Sequence, residues 1–465
     1  MIMQVRDSFR TYLEKAIGHD DMLVALSALD TPASVSVRVN PFKKGWIDGG
    51  RKVPWNDYGR ILDQRPSFTL DPVFHAGGYY VQDSSSMFVG HVFRSLMDGR
   101  ELPQGRPLRV LDLCAAPGGK TTDLAASLRQ ICGDGFLLVA NEVMKSRVGV
   151  LADNVAIWGD PNVVVTSDDP RSFASLPGFF DIIVADVPCS GEGMFRKDEQ
   201  AQQQWSEDNV ALCEARQRRI IADVWPALAE KGILIYSTCT FNRHENDDNV
   251  EWIASALGGR LLLPSGQAGD FSGVISTVHG YSLVPGLVEG EGQYCSAVEK
   301  TSGNEVVMYS SRKERVRNRT LEMAVPAMVP GMLAKDVRFR WKGDTLTAVP
   351  SVIAADAGSV EAVLHVVAAG CALGTVKGKD FIPDADLSLS MLLAEDAFAS
   401  AEVGLDTALA FLHRDAVVLP DAPKGFVLIR YMGLPLGFVK NLGNRCNNLH
   451  PQSRRIRMDI KRKDI

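Results

Sequence analysis

From Leu108 onward the chain alternates short apolar runs with longer stretches of helical period. The runs Arg109–Leu113, Phe136–Ala140, Val163–Thr166, Asp181–Ala185 and Ile233–Tyr236 are too short for helices and predict strands. Between them, Thr121–Gln130, Ser146–Trp158, Asn209–Ala229 and Glu245–Leu257 predict helices. Strands alternating with helices in this way form a parallel sheet covered on both faces, so the expected fold class is α/β with a Rossmann-like core. Ahead of the core, a helical opening (Phe9–Leu29), an alternating run (Ser34–Val39) and a Pro/Gly/Trp-rich loop (Asn40–Tyr58) read as a small α/β module. Behind it, the Gly-rich stretch 280–293 reads as a strand pair and turn. A third region opens near Thr301 on Arg312, Lys313, Arg315, Arg317 and Arg319 against Glu314, a linker with a basic face. Two short strands around a Gly/Pro turn in Lys424–Met458 predict a small β-rich terminal module. The expected division is residues 1–75, 76–300, 301–400 and 401–465.

A chain of 465 residues exceeds one ordinary core, which agrees with several domains. Its 46% apolar and 23% charged residues are near the average for folded soluble proteins. No apolar run approaches the ~20 residues of a membrane span. The opening Met1–Arg10 lacks a basic stretch followed by an apolar core, so a cytoplasmic location is expected. Eight scattered cysteines without a C-x-x-C pair or clustered histidines speak against a disulfide framework and a structural zinc site, and no metal is expected. A net charge of −6 counts against a nucleic-acid partner unless basic residues are concentrated locally. They are concentrated near the end, where Arg454, Arg455, Arg457, Lys461, Arg462 and Lys463 face only Asp459.

The run Leu111–Thr121 is an apolar strand breaking into a glycine loop that opens a helix, the position at which doubly wound sheets bind nucleotide-like ligands. Gly118 and Gly119 let backbone amides approach a ligand, while Pro117 delays the helix until the loop is complete. The loop is not a Walker A motif, because Cys114 stands where the first glycine is needed, and G-x-G-x-x-G is absent. Glu142 closes the second strand, where an acid characteristically accepts from ribose hydroxyls. Asp169 and Asp186 follow the third and fourth strands and fall on the same rim; each is alternatively a helix cap or a turn acid.

Cys189 follows the fourth strand and Cys239 the fifth, which places two thiols at adjacent strand ends. The remaining six cysteines read as small buried apolar residues. Carbon 5 of cytosine is a poor nucleophile, and addition of a thiolate to carbon 6 makes an enamine that can accept a methyl group. Asp186 is placed to hydrogen-bond the N3/N4 edge of such a base.

The loop Cys114-Ala115-Ala116-Pro117-Gly118-Gly119-Lys120, the Pro-Cys189 and Thr-Cys239 pairs, the continuation Ser190–Lys197 and Glu245-Asn246 resemble the Sun-type RNA cytosine-5 methyltransferases, especially their bacterial small-subunit ribosomal RNA branch. Tyr80–Met87, Gly443–Asn448 and Arg454–Arg457 extend the resemblance over nearly the whole chain. It implies a methyltransferase core binding S-adenosylmethionine through residues 114–120, Glu142 on the ribose, Asp169 near the adenine and Asp186 near the methyl-transfer site. It further implies Cys239 as nucleophile, Cys189 in product release, an N-terminal RNA-contacting module and a C-terminal PUA-like RNA-binding module. Asp186-Val187-Pro188-Cys189 departs conservatively from the family's usual Asp-Ala-Pro-Cys. The implied partner is RNA, 16S ribosomal RNA or the small subunit, with transfer RNA and a non-catalytic RNA-binding protein as alternatives; a monomer is expected. Leu412-His413-Arg414-Asp415 mimics part of a kinase catalytic loop, but its companion motifs are missing, so it reads as a helix-to-strand connection.

Overall fold

The computed structural model describes residues 5–43, 49–262, 271–302, 324–378 and 380–458. The opening forms two helices, Asp7–Ile17 and His19–Leu29, rather than one. Gly18 separates them at φ 86°, a conformation that only glycine adopts without strain. Strands β1 (Val35–Val39), β2 (Arg51–Val53), β3 (Asn56–Leu62) and β4 (Tyr79–Val81) then form a small antiparallel sheet in the order β2-β3-β1-β4.

The core sheet follows. Its strands β5 (Leu108–Asp112), β6 (Phe136–Asn141), β7 (Val163–Thr166), β8 (Phe180–Asp186) and β9 (Leu228–Thr238) are all parallel, in the spatial order β9-β8-β5-β6-β7. Every residue of β5, β6 and β7 is buried, which is why these strands read as unbroken apolar runs. Val110, Leu138, Val165 and Ile235 face one hydrophobic layer; Leu111, Val139, Val164 and Leu234 face the other. Strand order reverses between β5 and β8, so the chain itself opens a crevice at the carboxyl ends of those strands. The long helix preceding β9 ends at Val224, earlier than its periodicity predicts. Pro226 lacks the N–H that a continued helix needs, and a single 3-10 turn (Trp225–Ala227) leads into the strand.

After the short strands β10 (Gly259–Leu262), β11 (Ile275–Ser276) and β12 (Tyr281–Leu283), strand β13 (Gln293–Lys300) returns antiparallel beside β9. The region beyond contributes β14 (Val337–Lys342) and β15 (Thr345–Pro350), a helix Ala354–Val363, and β16 (Val366–Ala369), which extends the core sheet antiparallel to β7. That helix buries Ala357 and Val360 in the second hydrophobic layer, and its Asp356 meets the buried Arg109 at 2.8 Å. Strands β17 (Cys371–Lys377) and β18 (Asp380–Pro383) complete a sheet with β14 and β15. The terminal sheet is built from β19 (Ala399–Glu402), β20 (Gly425–Tyr431), β21 (Leu434–Asn441) and β22 (Cys446–Asn448), and it shares a hydrophobic cluster with the N-terminal sheet. Residues 412–415 end the helix Leu405–His413, with Arg414 as its left-handed cap at φ 66°.

The basic linker Arg312–Arg319 and the residues Asp459, Lys461, Arg462 and Lys463 lie outside the described residues. Of the basic tail, Arg454 is turned inward: it pairs with Asp153 at 2.9 Å and Asp386 at 2.8 Å, tying the terminal module to the core. Arg457 remains exposed. Among the described residues, no helix is long and apolar enough to cross a membrane, and no group of His, Cys, Asp and Glu could hold a metal ion.

Candidate active site

Strand β5 delivers the chain into the glycine loop. Gly118 sits at φ 112°, so the turn into the helix Gly119–Cys132 requires glycine there. Gly119 differs, because a Cβ would meet Tyr80 and Gln82 at 3.4 and 3.6 Å, ordinary contact. The protein's own packing therefore does not demand glycine at 119. The loop is fixed from outside: Tyr80 Oη and Asn154 Nδ2 donate to the Pro117 carbonyl, and Arg147 donates to that of Ala116. Buried Arg38, from β1, donates to Gln82, Thr122 and the Gly119 carbonyl, which seats the N-terminal sheet on the loop's helix.

Around this loop stand acids with acceptor capacity left over. Glu142 is buried; one oxygen accepts from Met144 N at 2.8 Å, and the other lies 3.4 Å from Arg147. Asp112, the last residue of β5, is fully buried; one oxygen accepts from Thr121 at 2.7 Å and the other has no partner. Burial pushes its carboxyl up to about 7, opposed by the Thr121 hydrogen bond and by Lys120. Asp169 accepts from Arg171 N at 3.2 Å as the cap of the 3-10 turn Pro170–Ser175, the alternative role its sequence allowed. Its carboxylate remains about a third exposed, at 38%. Cys114 lies among these acids, and burial raises its thiol pKa. Ala115 and Ala116 are buried at the loop's base.

Across the crevice, Lys120 Nζ donates to Asp186 Oδ2 at 2.8 Å and to Ser86 Oγ at 2.9 Å. Burial works against the ammonium, but Asp186, joined by Cys239 and Asp112, outweighs it and the lysine pKa rises. Ser237 Oγ donates to the other oxygen of Asp186 at 2.7 Å, and Gln293 Nε2 holds Ser237 at 2.6 Å. Asp186 is thus an acceptor fixed from two sides. Cys189 and Cys239, both free, bring their sulfurs to 3.1 Å. The hydrogen bond to Cys239, and then burial, raise the Cys189 thiol pKa well above the ordinary value.

The structure therefore brings Lys120, Asp186, Cys189 and Cys239 to one crevice, with Glu142 and Asp169 farther along the same rim. Sequence reading missed Asp112, Ser237 and Gln293. Asp112 had a local signal, a lone acid closing an otherwise apolar strand; Gln293 had none, because its partners lie 56 residues away.

A Rossmann-like sheet with a glycine loop at its reversal point and two thiols beyond the adjacent strands β8 and β9 is the architecture in hand, and solved methyltransferases share this fold. A methyltransferase homolog protein from Pyrococcus horikoshii matches with TM-score 0.52 and 24% identity, covering 63% of this chain and 95% of that one. NSun6 from the same organism, crystallised with SFG, matches with TM-score 0.52 and 18% identity, covering 64% and 98%. These likenesses establish the fold. Family profiles match residues 6–84 (N-terminal domain of 16S rRNA methyltransferase RsmF), 103–297 (16S rRNA methyltransferase RsmB/F) and 398–456 (methyltransferase RsmF PUA domain). The chain is 30% identical to ribosomal RNA small subunit methyltransferase F of Klebsiella pneumoniae (strain 342), over 95% of its own length and 94% of that relative. The relative of the same name in Cronobacter sakazakii (strain ATCC BAA-894) is 30% identical, over 96% and 94%. The chain belongs to the 16S rRNA methyltransferase RsmB/F family.

Proposed function

We propose that this protein transfers a methyl group from S-adenosylmethionine to carbon 5 of a cytosine in 16S ribosomal RNA, through a covalent bond between Cys239 and carbon 6. The observation that carries the reading is the pair of thiols 3.1 Å apart beside the Lys120–Asp186 ion pair. A single attacking cysteine would suffice to add to the base; a second in contact with it has its use when the bond must be broken again.

The residues at the rim fit the cofactor. The orphaned oxygen of Asp112, the left-handed Gly118 and the spare acceptors of Glu142 suit a ligand rich in hydroxyl and ammonium donors. Residues 114–120 would hold its methionine part, Glu142 its ribose, Asp169 its adenine, and Asp186 the end nearest the thiols. When bound, the cofactor supplies an electrophilic methyl group on a sulfonium. Cys239, as thiolate, adds to carbon 6, and Asp186 accepts from the base's amino edge while Lys120 holds that carboxyl group in place. Cys189, held as a thiol, then assists departure of Cys239. The outer modules select the RNA, with residues 1–75 contacting it beside the core 76–300, the segment 301–400 buttressing that core and the PUA-like module 401–465 gripping folded RNA by shape and phosphate. Its place of action is the cytoplasm, where ribosomal RNA is processed.

Bisulfite sequencing of 16S ribosomal RNA from a deletion strain should show one cytosine losing protection, restored by the wild-type gene and not by Cys239→Ala. If Cys239→Ala keeps even about a tenth of wild-type methylation, Cys239 is not the nucleophile.

A further inference from the structure

The contact between the two sulfurs is not a property of the cysteines alone. The residues that follow them are stitched together. Ser190 Oγ meets Thr240 Oγ1 at 3.0 Å, and Gly193 N donates to the Cys239 carbonyl at 2.8 Å. That approach needs glycine: a Cβ at 193 would lie 2.7 Å from the Cys239 oxygen and 2.6 Å from the Cα of Gly292. Glu192 accepts from Phe241 N at 2.7 Å, Asn242 N at 3.0 Å and Trp205 Nε1 at 2.8 Å. Glu245, fully buried, accepts from Ser190 N at 3.0 Å, Gln217 Nε2 at 2.7 Å and Asn242 Nδ2 at 2.8 Å. Asn242 bridges the two carboxylates, donating to Glu192 at 3.0 Å as well.

We infer that Glu245 is a positioning residue for product release: through Ser190 N it fixes the Cys189 loop and holds the Cys189 thiol against Cys239, so that the departing sulfur meets a proton donor. The inference rests on Cys239 being the nucleophile. In the release step the hydrogen on carbon 5 leaves as a proton to solvent and its electron pair restores the 5,6 double bond. The carbon–sulfur bond breaks with both electrons going to Cys239. The S–H of Cys189 hands its proton to that sulfur, and Cys189 regains one from water. Cys189 must therefore keep its proton until then. The groups facing it favour this: Cys239 across the contact and the charge of Glu245 behind it. The groups facing Glu245 are Glu192 from the turn after Cys189, Cys213 and the neutral Gln217 from the helix Glu207–Val224, and the Tyr236 hydroxyl from β9. Burial and then Glu192 push the Glu245 carboxyl up to about 7, so Glu245 is charged on the alkaline side, where Cys189 would otherwise lose its proton.

The test uses full-length protein, a 16S ribosomal RNA transcript and S-adenosylmethionine labelled on the methyl group. Single-turnover methyl transfer and decay of the denaturant-resistant protein–RNA adduct are followed separately from about pH 6 to about pH 10. Glu245→Gln should transfer methyl within about threefold of wild type but release RNA about tenfold more slowly, with the alkaline fall of release moved down by about one pH unit. Equal slowing of both steps, or an unmoved alkaline limb, overturns the inference. If Glu245→Gln does not fold, Glu245→Asp keeps the charge but draws back from Ser190 N, and it should slow release at least about fivefold more than transfer; slowing both equally, or neither, again overturns it. Cys189→Ala run alongside separates the two levels. If it accumulates no adduct, the release reading itself falls; if it does and the Glu245 variants release like wild type, only the role of Glu245 falls.

Discussion

The two halves of the crevice solve different problems with the same kind of residue. On the cofactor half, at the ends of β5 to β7, the acids are under-used by the protein: Asp112 has one donor and one orphaned oxygen, and Glu142 one close donor. On the thiol half, at the ends of β8 and β9, Glu192 and Glu245 are each surrounded by donors from several elements. Two carboxyls, one in each half, are pushed up to about 7 by burial, yet Asp112 has one donor to answer it and Glu245 has three. The contrast separates a surface with acceptors left unpaired, as the proposed cofactor site requires, from a surface already locked, in which two sulfurs lie 3.1 Å apart. Pre-organised donors and acceptors cost no rearrangement at the moment of reaction.

The comparison can be broken most sharply on the receptive side. Glu142→Ala should weaken S-adenosylmethionine binding by about 1.5–3 kcal/mol, the range for a hydrogen bond to a charged group. Calorimetry checks it, and unchanged affinity would remove Glu142 from the site. The thiol half should be untouched, so the variant at saturating cofactor should still form adduct.

A second effect, on stability and not on binding, follows from the two raised carboxyls together. Their folded-state values near 7 lie above the unfolded values of about 4, so the stability they contribute is complete below about pH 4 and lost as pH rises through about 7. The thermal midpoint should therefore decline from about pH 5 to about pH 8, and Asp112→Asn should flatten that decline. A midpoint that rises over this range in wild type would contradict the burial argument.

The smallest effect belongs to the outer module. Arg457 is exposed, whereas Arg454 is committed to Asp153 and Asp386. Arg457→Ala should lower RNA affinity by at most about 1 kcal/mol and reduce the slope of log affinity against log salt by about one, measured by filter binding. Arg454→Ala should instead lower the melting temperature, because it removes the two ion pairs, to Asp153 and Asp386, that tie the terminal module to the rest of the protein.

Much of this was legible in the sequence because it is local. The five core strands follow from apolar runs that only a sheet buried on both faces needs, and the glycine loop and two thiols fall at strand ends once those runs are placed. What was not legible depends on partners far away in the chain. β16 joins β7 across about two hundred residues, and the helix before it plugs the core with Ala357 and Val360. Removing everything beyond residue 301 would therefore strip an edge and part of a hydrophobic layer, and not merely a binding module. The inward turn of Arg454 was hidden in the same way, since a basic run on paper does not show which acids meet it. The breaks at Gly18 and Pro226 were readable from residue type, but the helical period on either side masked them.

The locked half is the centre of the account, and trapping the adduct tests it most directly. Cys189→Ala protein incubated with S-adenosylmethionine and 16S ribosomal RNA, then run on a denaturing gel and digested for mass spectrometry, should yield an RNA-bound species cross-linked at Cys239. The same protein carrying Cys239→Ala as well should yield none. An adduct at any other residue, or one that survives in the double variant, would contradict the assignment of the two thiols.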